Sequence, residues 1–104
     1  CLAESEKRIA VIGSGDLAHT LIDDAPAGFH EMGKEFDTKI REYLEQGKYA
    51  EIANLEPKLV KNAVECGYRS LLILLGILSH SPWRFRTLCY EAPFGVGYLT
   101  GHWE

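Results

Sequence analysis

Apolar and polar positions change period several times along the chain, and each change marks an element. Arg8 to Ser14, RIAVIGS, is a short continuous apolar run closing on Gly-Ser-Gly. A run of that length bounded by glycines predicts a strand buried on both faces, opening at its carboxyl end into a loop. The loop continues through Asp16, Leu17, Ala18 and His19. From Asp23 to Gly33 the sequence DDAPAGFHEMG is dense in turn formers and has no apolar period, which predicts an ordered excursion without a helix. After Gly33, the residues Phe36, Ile40, Tyr43 and Leu44 fall at i, i+4, i+7 and i+8 among charged neighbours, the stripe of an amphipathic helix, with Gly47 as its stop.

Tyr49 to Asn54 predicts a brief helical turn. Glu56-Pro57 opens the next helix, since proline at the first helical position gives up no needed hydrogen bond, and Leu59, Val60, Ala63 and Val64 form its buried stripe. Beyond Glu65-Cys66-Gly67 the run YRSLLILLGIL is apolar on most sides, so it predicts a helix in the centre of the core, with Gly67 permitting a break or a close backbone approach. Trp83 to Tyr90 alternates Trp83, Phe85, Thr87 and Cys89 against Arg84, Arg86, Leu88 and Tyr90, a strand pattern. Phe94 to Leu99 predicts a second strand after Pro93. Strand, loop, helices and two strands make an α/β fold with helices packed on a mixed sheet, in a single domain over residues 1–104.

Composition changes this picture mainly by exclusion. The 104 residues are 46% apolar and 25% charged, the range of one globular domain with one core. A half-fold of this size leaves apolar surface uncovered, which predicts a homo-oligomer. The net charge is −4 and the basic residues are scattered among acids, so nucleic acid is not an expected partner. No run approaches the ~20 apolar residues that span a bilayer, and no signal peptide is visible. Cys1, Cys66 and Cys89 are odd in number, widely spaced and without a CxxC or zinc spacing, reading as reduced thiols in the cytoplasm. Cys1 at the first position points to processing or to an upstream segment.

Small polar residues at the carboxyl end of a buried strand occupy the place where open α/β sheets carry their chemistry, which singles out Ser14, Asp16 and His19. Histidine near neutrality can both accept and donate a proton. The structural alternative is that Asp16 caps the turn and His19 packs beneath it. Glu65, beside the glycine break, is placed to face a site and bind a hard metal, or else is a solvated helix residue. His30, His80 and His102 lack the i, i+4 pairing of a helical metal site and read as surface residues. GxGxxG, GxxxxGK[ST] and GxSxG are all absent, which removes the common nucleotide and hydrolase motifs. Tyr90 and Tyr98, in the run YEAPFGVGYL, are of a type to line a pocket, but aromatics beside glycines read first as strand packing.

Taken together, SGDLAHTL at 14–21, DAPAGFHEMGKEFD at 24–37, ECGYRSLLILLGIL at 65–78 and YEAPFGVGYL at 90–99 resemble, in order and at compatible spacing, one family. It is the catalytic LigB-type subunit of class III extradiol ring-cleavage dioxygenases, and the similarity is to its C-terminal half. The resemblance implies a partial LigB-like, phosphorylase/hydrolase-like domain with a mixed sheet flanked by helices. It also implies a non-haem Fe(II) held by two histidines and a glutamate, acting on a catechol-type substrate and O2. By its motif His19 corresponds to the acid/base histidine, Glu65 is the best candidate for the ligating carboxylate, and Asp16 then orients or hydrogen-bonds at the same site. The family's two ligand histidines lie in an N-terminal half not represented here, so the chain alone is expected to be inactive. The alternative within the same lineage is a non-catalytic, Memo-like binding or interaction domain.

Overall fold

The computed structural model describes residues 4–104, so Cys1 lies outside the described residues. Its elements are helices α1 (Glu31–Gln46), α2 (Tyr49–Ala53), α3 (Pro57–Ala63) and α4 (Tyr68–Leu78), then strands β1 (Phe85–Glu91) and β2 (Tyr98–Trp103).

Helix α1 is the spine of the molecule. His30 stands at its N-cap with extended backbone, and its Nδ1 accepts the Met32 N–H at 3.1 Å. Gly47 ends the helix in the left-handed conformation, φ 70°, which glycine adopts without steric cost. Gly33, Phe36, Asp37, Ile40 and Leu44 form the buried stripe. It differs from the predicted stripe in two ways: the helix begins two residues before Gly33, and an aspartate stands among the apolar positions. Leu17, Ile52, Leu55, Leu59, Ala63 and Leu75 complete the core against this face.

Pro57 opens α3 as its chemistry requires. Leu59 and Ala63 are buried, while Val64 is exposed because the helix ends there with Val64 at φ 52°. Helix α4 is fixed at its start: the Tyr68 hydroxyl donates to the Ile52 carbonyl at 2.6 Å, and its ring meets Phe36 edge-on with centroids 6.1 Å apart. The expectation of a central core helix is corrected here. Leu75 is buried, but Ile73 is 67% exposed, and Ile77 is exposed too. The helix covers the core with one edge, and its remaining apolar side faces an open groove of about 710 Å³, lined among others by Ile9, Val11, Leu71, Leu74, Ile77 and Trp83.

The predicted strand at Arg8–Ser14 also needs correction, since that stretch has no ladder partner among the described residues and Ile12 is 86% exposed. A strand buried on both faces exists only with neighbours on either edge, and none of the described segments supplies one. The sheet is accordingly a two-stranded antiparallel hairpin, not a mixed sheet, although the α/β class stands.

The hairpin pairs Phe85 with Trp103 at one end and Glu91 with Tyr98 at the other, with an irregularity between Thr87 and Cys89. Leu88 is thus an extra residue, and a bulge of one residue reverses which side chains face inward. Phe85 and Thr87 point inward before it, Tyr90 after it. The second strand starts four residues later than predicted. Gly95 turns the chain at φ 78°, and residues 95–97 pair instead with the loop that follows the N-terminal run.

Candidate functional site

Residues 15–21 run between two other segments and bond to both. On one side, Leu17 N–H donates to the Gly97 carbonyl at 2.9 Å, Gly97 N–H to Ala18 at 2.9 Å, and Leu21 N–H to Gly95 at 3.1 Å. On the other, His19 N–H donates to the carbonyls of Ala63 (3.0 Å) and Val64 (3.2 Å), Thr20 Oγ1 donates to Ala63 (3.2 Å), and Cys66 N–H donates to Asp16 (3.3 Å). A loop tied on both edges holds its side chains as firmly as a strand does.

Two glycines bring the corner together. A Cβ on Gly15 would overlap the Gly67 Cα, and one on Gly67 would lie 2.9 Å from the Asp16 carbonyl oxygen. With no side chain at either position the backbones touch, and Asp16 comes to lie beside Cys66. The Asp16 N–H points at the Cys66 sulfur, 3.1 Å away. One ligand-capable atom from each of Asp16, His19 and Cys66 lies within 4.8 Å of the others. Asp16 and His19 are half-buried and Cys66 is exposed. His19 Nε2 is buried and has no hydrogen-bond partner.

Beneath this loop lies Asp37. The residue is 2% exposed, with Oδ1 accepting the Ala18 N–H at 2.9 Å and Oδ2 accepting the Tyr90 hydroxyl at 2.5 Å. Burial pushes the Asp37 carboxyl above its ordinary 3.8, against the lowering influence of the Tyr90 and Ala18 hydrogen bonds and of the Arg41 and His19 charges. The Tyr90 hydroxyl is likewise pushed well up, by burial first and then by the bond and charge of Asp37. Arg41 lies over the Tyr90 ring, 4.1 Å from its centroid. Gly97 passes so close that a Cβ there would collide with Asp37 Oδ2.

The sequence-based candidates therefore separate. Asp16 and His19 come together. Glu65 stands apart from that trio and accepts the Tyr68 N–H through Oε2 at 2.6 Å, satisfying a free donor in the first turn of α4. Ser14 lies in the exposed N-terminal run. His30 caps α1, His80 is exposed after α4, and His102 pairs with Glu104 at 3.1 Å. Cys66, Asp37 and Tyr90 were missed as site residues. Asp37 had a signal, being a carboxylate on the apolar stripe that Phe36, Ile40 and Leu44 define.

The Fe(II) implied by the resemblance does not fit these residues. Two imidazoles and a carboxylate must converge, and among the described residues no such group does. The trio that does converge contains a thiol in place of a second histidine.

Comparison with known proteins gives two findings. The family model described as the catalytic LigB subunit of aromatic ring-opening dioxygenase matches residues 2–101. Protein CA_C1420 of Clostridium acetobutylicum is 38% identical over 95 residues, covering 91% of this chain and 20% of that protein. The chain thus spans about a fifth of the length of the curated relative it matches.

Proposed function

The chain belongs to the LigB family of aromatic ring-opening dioxygenase subunits, and we propose that it is the C-terminal part of a catalytic domain that opens catechol-type rings with O2 in the extradiol manner. Its own contribution is His19. The observation that carries this reading is the buried His19 Nε2 with no hydrogen-bond partner, in a loop fixed from both sides. A neutral imidazole so placed takes a phenolic proton from the ring, leaving a phenolate, and returns it to an oxygen of the product. Asp16 orients the loop end beside it. The described residues do not by themselves assemble the ligands of an iron ion. On this reading the chain works in the cytoplasm as part of a longer polypeptide, and the open groove along α4 is covered there or by a second copy.

The test is ring opening by the longer protein containing this chain, supplied with Fe(II), O2 and a panel of catechols, followed by the absorbance of the ring-opened product. His19→Gln is expected to lower kcat roughly 10²–10⁴-fold. Absence of turnover for every catechol would favour the second reading, a non-catalytic Memo-like binding domain. That reading draws support from Glu65, whose carboxylate serves as a helix cap.

A further inference from the structure

We propose that Asp37 is a positioning residue for His19: it fixes the loop that carries the imidazole through the Ala18 N–H, while Tyr90 fixes Asp37 from the hairpin. The inference rests on the ring-opening reading for its effect on rate, and on geometry alone for its effect on the order of the His19 ring.

Asp37 is a buried carboxylate that the proton transfer itself does not use. It stands on the buried stripe of α1 at 2% exposure, next to Phe36 and three positions before Ile40, both fully buried. A carboxylate in such a place is costly unless its oxygens are hydrogen-bonded, and both of these are. One of the two donors comes from the peptide next to His19. From Leu17 to His19, the first N–H goes to the Gly97 carbonyl, the last to those of Ala63 and Val64, and only the Ala18 N–H between them goes to a side chain, Oδ1 of Asp37. Three successive N–H groups thus pin the loop, and Asp37 holds the middle one. Without it the Ala18 N–H is a buried donor lacking an acceptor, which the loop relieves by shifting and taking His19 with it.

Asp37 is held in turn. The Tyr90 hydroxyl donates to Oδ2 at 2.5 Å, and Arg41, one helical turn along α1, lies over the ring of the same tyrosine at 4.1 Å from its centroid. The phenol is therefore fixed at both its face and its hydroxyl. His19 is near enough that its charge bears on the Asp37 carboxyl. Proton transfer by an imidazole needs its nitrogen within hydrogen-bond reach of the reacting oxygen, so a displacement of about 1 Å in the loop is felt in the rate.

Steady-state kinetics of the longer protein containing this chain, with Fe(II), O2 and the catechol it opens fastest, reads the effect on rate. Asp37→Ala is expected to lower kcat about 10- to 100-fold with KM unchanged. Asp37→Asn keeps an oxygen for the Ala18 N–H and an amide for the Tyr90 oxygen, and is expected to recover most of that loss. An Asp37→Ala variant as fast as the parent, or an Asp37→Asn variant as slow as Asp37→Ala, overturns the proposal. Tyr90→Phe frees Oδ2 and leaves the Ala18 bond, so it serves where Asp37→Ala does not fold; a lower kcat at unchanged KM is expected, and an unchanged kcat overturns the proposal. NMR of the chain with ¹⁵N-labelled histidine rings reads the positioning without turnover. Asp37→Ala is expected to broaden or split the His19 ring signals while those of His102, at the other end of the hairpin from Tyr90, stay as in the parent. Unchanged His19 signals overturn the proposal. Absence of turnover in the parent ends the ring-opening reading and leaves the His19 signals to decide the positioning.

Discussion

Tyr90 reaches from the hairpin to α1 and donates its hydroxyl to Oδ2 of Asp37, 53 positions away in sequence. The same carboxylate accepts the Ala18 N–H through its other oxygen. One buried side chain therefore joins helix, hairpin and the loop that carries His19. Removing a partner from such a group leaves a buried acceptor unsatisfied, at a cost of about 1–3 kcal/mol. Tyr90→Phe is expected to lower stability by that amount in denaturant unfolding, and no loss would mean that the bond contributes nothing net.

The elevated Asp37 carboxyl also fixes a pH trend. Between the ordinary 3.8 and its higher folded value, the folded chain binds more protons than the unfolded one. Stability linked to this group is therefore fully present below 3.8 and declines as pH rises through the folded value. Asp37→Asn cannot ionise. Its stability relative to the parent should rise across that window, read from chemical denaturation at several pH values; a difference independent of pH would contradict the assignment.

Val64 holds a left-handed backbone conformation with a β-branched side chain and is exposed. That conformation costs an L-residue about 1–2 kcal/mol, and glycine avoids it at an unfolded-chain entropy cost of about 0.5–1 kcal/mol. Val64→Gly is expected to gain up to about 1 kcal/mol in thermal or denaturant unfolding. A clear loss would show that the side chain has a role its exposure conceals.

Two glycines should respond oppositely to the same substitution. Gly15→Ala drives a methyl into Gly67 and is expected to cost about 1–3 kcal/mol. Gly76, within α4, has nothing near its missing Cβ, so Gly76→Ala is expected to stabilise by about 0.5–1 kcal/mol. Equal effects of the two substitutions would dispose of the close-approach argument.

Glu65→Ala separates capping from ligation. Loss of the bond to Tyr68 N–H is expected to cost about 1 kcal/mol in denaturant unfolding. Unchanged stability would count against the cap as the role of this carboxylate.

Helix α1 was legible because its period, its glycine stop and its charged outer face agree, and Pro57 announced α3 in the same way. Local chemistry suffices for such elements. The strand expected at Arg8–Ser14 depends on partners, and apolar content alone cannot say whether a neighbouring strand is present. The prediction for α4 failed for the same reason: apolar on most sides predicts burial only if something lies on every side. At the site, Asp16 and His19 could be picked out by residue type and loop position. Cys66 could not, since its meeting with Asp16 depends on Gly15 and Gly67 touching across 52 positions of chain, and long-range backbone contact leaves no trace in spacing. The alternation groups Tyr90 with Arg84 and Arg86, whereas the extra residue at Leu88 puts it on the side of Phe85 and Thr87, because an alternation count assumes a regular ladder.

That bulge makes the hairpin sensitive to counting frame. Removing Leu88 takes out the extra residue and restores strict alternation with Cys89 still outward and the phenol of Tyr90 still on the Asp37 carboxylate. Substitutions along β1 change one contact each. An insertion or deletion elsewhere in β1 that no bulge absorbs exchanges the inner and outer faces of everything beyond it, so the length of this strand is constrained more tightly than its composition.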